Sequence, residues 1–145
     1  MARILVIEDD KVQQRIIRHI LDGHGHDVTD AAGGWQGMCL QKEYAYDLVI
    51  TDIIMPGMDG IETVRELTRL YPGLKIIAIS AHKKVYLDAA KTFGAMEILA
   101  KPFTPEALIG CVENCLGPRD VQKKGPRYRT NDAMAGLLGE PALQN

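Results

Sequence analysis

Leu48-Val49-Ile50-Thr51-Asp52-Ile53-Ile54-Met55-Pro56-Gly57-Met58-Asp59-Gly60 opens as an apolar run, ends it on a carboxylate and breaks into turn residues. A short run without polar alternation reads as a strand covered on both faces. A carboxylate at the carboxyl end of such a strand sits where open α/β sheets place their chemistry. A second run of the same kind, Ile4-Leu5-Val6-Ile7, ends on Glu8-Asp9-Asp10. If the two strands are neighbours, their carboxylates meet at one sheet edge. Such a cluster repels itself and calls for a cation, so a divalent metal is the first inference.

Outward from these runs, strands are predicted at 3–7, 27–31, 47–52, 75–80 and 96–100. The second, Asp27-Val28-Thr29-Asp30-Ala31, is the most polar and reads as an edge. Helices are predicted at 11–22, 34–43, 60–71, 84–93 and 105–116. In 11–22, Val12, Ile16 and Ile20, with Ile17 and Leu21 alongside, form the expected core stripe. Ile61, Val64, Leu67 and Tyr71 do so in 60–71, and Leu108, Val112 and Cys115, flanked by Ile109 and Leu116, in 105–116. Gly33, Gly34 and Gly37 weaken the start of 34–43. Asp10 suits the start of the first helix, where negative charge meets the positive end of the dipole. Thr104-Pro105-Glu106 is a helix start and Gly117-Pro118 a stop. Five β-α units imply a parallel sheet with right-handed crossovers and helices on both faces. The order 2-1-3-4-5 places strands 1 and 3 side by side, so the loops after them converge.

At 145 residues the chain fits one domain plus a tail, and 46% apolar with 25% charged residues is ordinary for a soluble globular protein. A net charge of -2 gives no sign of nucleic-acid or membrane affinity. No apolar run approaches the roughly 20 residues that span a bilayer. Met1-Ala2-Arg3 leads straight into a strand, which leaves no room for a signal peptide. Cys39, Cys111 and Cys115 lack metal-ligand spacing and read as reduced core or boundary residues of a cytoplasmic protein. From Pro118 the composition shifts. Arg119, Lys123, Lys124, Arg127 and Arg129 outnumber Asp120, Asp132 and Glu140. This segment reads as a mostly flexible extension whose candidate short helix is 133–138.

Four elements are expected to end at the same sheet edge: Glu8-Asp9-Asp10, Asp52, Ser80 and Lys101. A carboxylate can attack phosphorus and form an aspartyl-phosphate. A divalent cation held by acidic residues and a lysine ammonium offset the charge of the transferred group. A hydroxyl can donate to a phosphoryl oxygen.

Ile4-Leu5-Val6-Ile7-Glu8-Asp9-Asp10, Asp52 with Met55-Pro56-Gly57-Met58-Asp59-Gly60, Ile79-Ser80-Ala81 and Lys101-Pro102-Phe103 occur in this order. Together they resemble the receiver domain of bacterial two-component response regulators of the chemotaxis-regulator type. The resemblance implies an α/β, flavodoxin-like, doubly wound five-stranded parallel sheet of order 2-1-3-4-5. It implies a single receiver domain over 1–118, with 119–145 a flexible C-terminal tail or linker stub. Asp52 would accept a phosphoryl group from a histidine kinase or histidine phosphotransfer protein. Asp9 and Asp52 would ligate Mg²⁺ (or Mn²⁺) through carboxylates, Ile54 through its backbone carbonyl and Glu8 through water. Ser80 would move toward the phosphoryl oxygen and Lys101 would pair with it. The Lys101-Pro102 bond is expected to be cis. The protein would be a phosphoacceptor rather than an enzyme, at most assisting its own phosphoryl transfer and hydrolysis. It would act by contact with a downstream protein target or as a relay, without direct nucleic-acid or membrane binding. The face of the fourth helix, fifth strand and fifth helix is a candidate homodimer surface. One departure stands out: Ile98 occupies the position, three before the lysine, where relatives often carry Tyr or Phe, so an aromatic switch cannot operate and the readout on that face should change.

Each residue also has a plainer reading. A lone strand-end Asp usually caps a helix or shapes a turn, a lone Lys lies on the surface, and a lone Ser caps; it is their joint position that points to chemistry. Asp59 with Gly60 reads as turn and cap. His82 reads as a loop histidine near the pocket mouth, and His24 and His26 as loop residues short of further metal ligands. Trp35 is expected to cover the core edge. The tail's basic pairs read as solvated. Three other functions compete: an interaction module that is never phosphorylated, a phosphatase of the haloacid-dehalogenase type, and the receiver fragment of a longer regulator. The phosphatase would need a second Asp where this chain has Ile54, and a cap segment that it lacks.

Overall fold

The computed structural model of the chain describes residues 1–81 and 84–123. His82 and segment 124–145, including the candidate helix at 133–138, lie outside the described residues. The elements run β1 (Arg3–Ile7), α1 (Lys11–Asp22), β2 (Asp27–Ala31), α2 (Gly34–Tyr44), β3 (Leu48–Asp52), α3 (Gly60–Leu70), β4 (Lys75–Ser80), α4 (Lys84–Thr92), β5 (Glu97–Ala100) and α5 (Pro105–Lys123). All strand pairs are parallel and the order is β2-β1-β3-β4-β5, with the polar β2 at one edge.

Successive strand side chains point to opposite faces, and that alternation splits the apolar runs between two cores. Ile4, Val6, Leu48, Ile50, Ile77 and Ile79 pack with Ile17 and Leu21 of α1 and with Leu108, Val112 and Cys115 of α5. Leu5, Ile7, Val49, Ile76 and Ala78 pack with Val64 and Leu67 of α3 and with Leu87 and Ala90 of α4. Each fully buried Leu, Ile or Val contributes about 1.5–3 kcal/mol relative to exposure. Both cores therefore hold the sheet without a polar strand among the central ones.

Helix starts follow the expected chemistry. Asp10 caps α1 by accepting from the Val12 and Gln13 N–H groups, Asp59 caps α3 from Glu62 N–H, and Thr104 Oγ1 caps α5 from Ala107 N–H. At the expected stop, Gly117 takes φ 76° and ψ 152°, outside helical geometry, yet helix resumes and α5 reaches Lys123. Glycine reaches positive φ without penalty, and the proline after it is compatible with the first turn of the resumed helix.

Three expectations are corrected. The core stripe of α1 is Gln14, Ile17 and Leu21, whereas Val12 is 57% and Ile16 43% exposed. The apolar arc of this helix is wider than the sheet can cover, and the sheet takes one side of it. Trp35 is 68% exposed and covers no core edge, because buried Gly34 and Gly37 turn the opposite side of α2 inward. Cys39 is exposed on α2, while Cys115 is buried and burial pushes its thiol up to about 12. The His24 ring lies 3.2 Å from the Ile20 carbonyl one turn back, and His26 Nδ1 accepts from Ala2 N–H at the start of the chain. Burial lowers the His26 pKa, in keeping with an unprotonated Nδ1.

Gly37 lets α2 approach β1, since a Cβ there would overlap the Ile7 side chain, whereas a Cβ on Gly110 of α5 would meet nothing within 4 Å. The same substitution should therefore act with opposite signs. In denaturant unfolding, Gly37→Ala is expected to destabilise by about 1–3 kcal/mol through overpacking, and Gly110→Ala to stabilise by about 0.5–1 kcal/mol through helix propensity.

Candidate functional site

Register decides which side chains meet. Ile7 is paired with Thr51, Asp52 with Ile79, and Ser80 with Ala100. Glu8 therefore emerges beside Asp52, and Lys101 beside Ser80. The ladder continues past the strands: Glu8 N–H donates to the Ala31 carbonyl at 2.9 Å, Ile53 N–H to Ile79 at 3.0 Å, and Lys101 N–H to Ser80 at 2.9 Å. The carboxyl edge is thus a continuous hydrogen-bonded surface.

Both oxygens of Glu8 are engaged. Oε1 accepts from Lys101 Nζ at 3.0 Å, and Oε2 from the Asp10 backbone N–H at 3.1 Å. Asp52 Oδ1 accepts from Ile53 N–H at 2.8 Å, and Oδ2 faces Lys101 Nζ at 3.5 Å. The side chains of Lys101, Glu8 and Asp52 are 15%, 3% and 10% exposed. Asp9 is exposed, and one of its oxygens lies within 4.8 Å of oxygens on both Glu8 and Asp52. Ser80 is fully buried at the end of β4, the strand beside β3. Ile54 lies in the bend just beyond β3, and Lys101-Pro102 is cis, as expected.

Two carboxylates thus share one ammonium, and a third, Asp9, lies beside them. Burial raises the Glu8 pKa above the ordinary carboxylate range; the Lys101 and Asp10 hydrogen bonds pull it down, and the Asp52 charge pushes it up again. For Lys101, burial works against the charged form, but the Glu8 and Asp52 carboxylates outweigh it and hold the ammonium above the usual lysine range. Clustered oxygen donors carrying more negative charge than the lysine offsets suit a hard divalent cation such as Mg²⁺.

Two supports were not legible as site residues. Gly60 lies so close to the Asp52 carbonyl and the Ile53 Cα that a Cβ would overlap them, and its N–H donates to the Ile53 carbonyl at 2.8 Å. Asp59-Gly60 is the expected cap and turn, yet it also seats α3 directly on the backbone of Asp52. Gln14, buried in α1, donates from Nε2 to the Glu8 carbonyl at 2.5 Å. A glutamine on an amphipathic helix reads as solvent-facing; the signal was its spacing with Ile17 and Leu21.

The sequence model of the response regulator receiver domain matches residues 4–113. The chain belongs to that family. Receiver domains are phosphorylation switches of two-component systems rather than conventional enzymes, and they bind Mg²⁺ through acidic residues. The transcriptional regulatory protein ZraR of Escherichia coli is 32% identical over 146 residues, covering 98% of this chain and 32% of that protein. The DNA-binding transcriptional regulator NtrC of Salmonella typhimurium is 28% identical over 146 residues, covering 98% and 31%. The chain thus spans about a third of the length of these curated relatives. Among solved structures, a response regulator receiver domain protein from Clostridium thermocellum matches with a TM-score of 0.78 and 29% identity, over 84% of this chain and 99% of that one. The chemotaxis protein CheY4 of Vibrio cholerae matches with a TM-score of 0.75 and 28% identity, over 80% and 99%. Among the described residues of this receiver domain, no helix is long and apolar enough to cross a membrane.

Lys101→Met removes the cation from two nearly buried carboxylates. It is expected to lower the unfolding free energy at neutral pH by about 3 kcal/mol, with added Mg²⁺ recovering more stability in the variant than in the parent. Because the folded-state pKa of Lys101 is raised, its contribution is present below the ordinary lysine pKa and is lost as pH rises through the folded value. An unchanged denaturation midpoint at neutral pH would show that this ammonium does not hold the carboxylates together.

Proposed function

We propose that Asp52 is the phosphoacceptor of this receiver domain. The observation that carries the reading is the convergence of Glu8, Asp9, Asp52 and Lys101 at one edge of the sheet. An Asp52 oxygen attacks the phosphorus of a phosphohistidine on a histidine kinase or histidine phosphotransfer protein. The new O–P bond forms as the P–N bond breaks, and the imidazole leaves with the donor. Asp9 and Asp52 hold Mg²⁺ (or Mn²⁺) through carboxylates, Ile54 through its backbone carbonyl, and Glu8 through water. When bound, the ion supplies positive charge where the transferred group carries negative charge. Lys101 turns from the carboxylates to a phosphoryl oxygen, which accepts its hydrogen bond. Ser80 donates its hydroxyl to another.

Drawing Ser80 and Lys101 toward Asp52 biases the α4-β5-α5 face toward its active arrangement. The half-buried Ile98 packs on the α3/α4 side of the sheet and offers no aromatic rotamer to that change. The face meets a downstream protein or a second copy of the chain, and the receiver works by protein contact in the cytoplasm. A second reading has its own support: the alignments with ZraR and NtrC run through 98% of this chain and continue in proteins about three times as long. On that reading 1–118 is the receiver of a longer regulator and 119–145 its linker, and any action on DNA belongs to the rest of that regulator. The coding sequence beyond Asn145 decides between them.

The phosphoacceptor reading is tested with acetyl phosphate and Mg²⁺. The intact protein is expected to gain one phosphoryl mass by mass spectrometry, and Asp52→Asn to gain none. Absence of the gain in the parent protein would favour an interaction module that is never phosphorylated.

A further inference from the structure

We infer that Gln14 is a positioning residue for the cation-binding acids, acting through the backbone of the β1–α1 turn. The inference rests on the phosphoacceptor reading. The turn Glu8-Asp9-Asp10 leaves the sheet immediately after β1, so the ladder ends with Glu8 N–H on the Ala31 carbonyl. The carbonyl of the same residue points beyond the ladder, and the buried Gln14 amide takes it at 2.5 Å. The amide comes from the first turns of α1, six residues on, and is 7% exposed. Below it, Ile17 and Leu21 lock the same helical face into the core. The peptide held by Gln14 is the one that joins Glu8 to Asp9.

The geometry separates this role from ordinary helix support. Glu8 is fixed at its carboxylate by Lys101 and Asp10 N–H, and Asp10 is fixed by its own capping bonds to Val12 and Gln13. Asp9, between them, is exposed, and among the described residues its side chain accepts none of the hydrogen bonds that build the turn. Its direction is therefore set by the peptide on either side, and Gln14 holds one of them. Groups that orient ligands from behind typically change metal affinity 10–100-fold when removed. The amide acts on the Asp9 side of the site, so its loss should weaken cation binding before it weakens the phosphoryl chemistry on Asp52.

Gln14→Met keeps the length of the side chain and removes the donor. The control is Gln41→Met in α2. Gln41 is also buried, and its Oε1 accepts from Tyr46 N–H at 3.0 Å, away from the carboxyl edge. Each variant, with the parent protein, is titrated with Mg²⁺ in the unphosphorylated state by amide NMR and then phosphorylated with acetyl phosphate over a range of Mg²⁺. Gln14→Met is expected to need about tenfold more Mg²⁺ for half-saturation in both assays, to reach the parent rate at saturating Mg²⁺, and to shift the Asp9 amide resonance without metal. Gln41→Met is expected to titrate like the parent. Equal Mg²⁺ affinities for Gln14→Met and the parent would overturn the inference while leaving the phosphoacceptor reading intact. A parent protein that is not phosphorylated would overturn that reading instead, and the metal titration would still judge Gln14. If Gln14→Met does not fold, Gln14→Asn, which withdraws the amide by one methylene, makes the same comparison.

Discussion

Lys101 Nζ stands between Glu8 at 3.0 Å and Asp52 at 3.5 Å, and the carboxyl edge is arranged around that ammonium. Glu8 and Asp52 come from adjacent parallel strands and are both nearly buried, so their charges meet in a setting that screens poorly. One lysine offsets part of that repulsion. Asp9 adds a third carboxylate from the solvent side, which leaves a surplus of negative charge open to a divalent ion. On the proposed phosphoacceptor reading, the same lysine would leave the carboxylates when a phosphoryl group arrives. A site that is electrostatically incomplete at rest is well suited to switching, because either added group changes which partner the lysine prefers.

The backbone makes this charge arrangement repeatable. Ladder bonds extend one residue past β1, β3 and β5, and so fix the starts of all three loops. Gly60 allows α3 to sit on the Asp52 backbone, and Gly34 allows α2 to approach Met58 and Thr63 at the far side of the β3–α3 loop. Gln14 satisfies a carbonyl that the sheet cannot reach. Small residues and one amide thus stiffen the frame, while the exposed side chain of Asp9 remains open to ligand. The proposed switch would use this division, with the acids holding position while the hydroxyl, the ammonium and the helical face beyond them adjust.

Much of this was readable in order along the chain. Continuous apolar runs ending in Glu8-Asp9-Asp10, Asp52 and Ser80 marked buried parallel strands with candidate chemistry at their ends, whereas the run before Lys101 is a half-buried edge strand, and Asp10, Asp59 and Thr104 marked helix starts. The helices were harder to read. Val12, Ile16 and Ile20 form as good a stripe as Gln14, Ile17 and Leu21, and periodicity alone cannot say which side of a broad apolar arc meets the sheet. Trp35 and Cys39 were misplaced for a related reason. Large or sulfur-bearing side chains suggest burial, but α2 turns its glycine side inward because β1 and the β3–α3 loop come too close for anything larger.

Local chemistry along the chain determined the element types, most helix starts and the candidate reacting groups, because strand patterning, capping and carboxylate chemistry depend on nearby residues. Which groups face one another was decided only by the fold. Parallel register set Glu8 beside Asp52, a crossover brought Lys101 to both, and helix packing turned Gln14 toward a carbonyl rather than toward water. Those contacts join residues far apart in the chain, and their distances follow from how sheet and helices share buried surface.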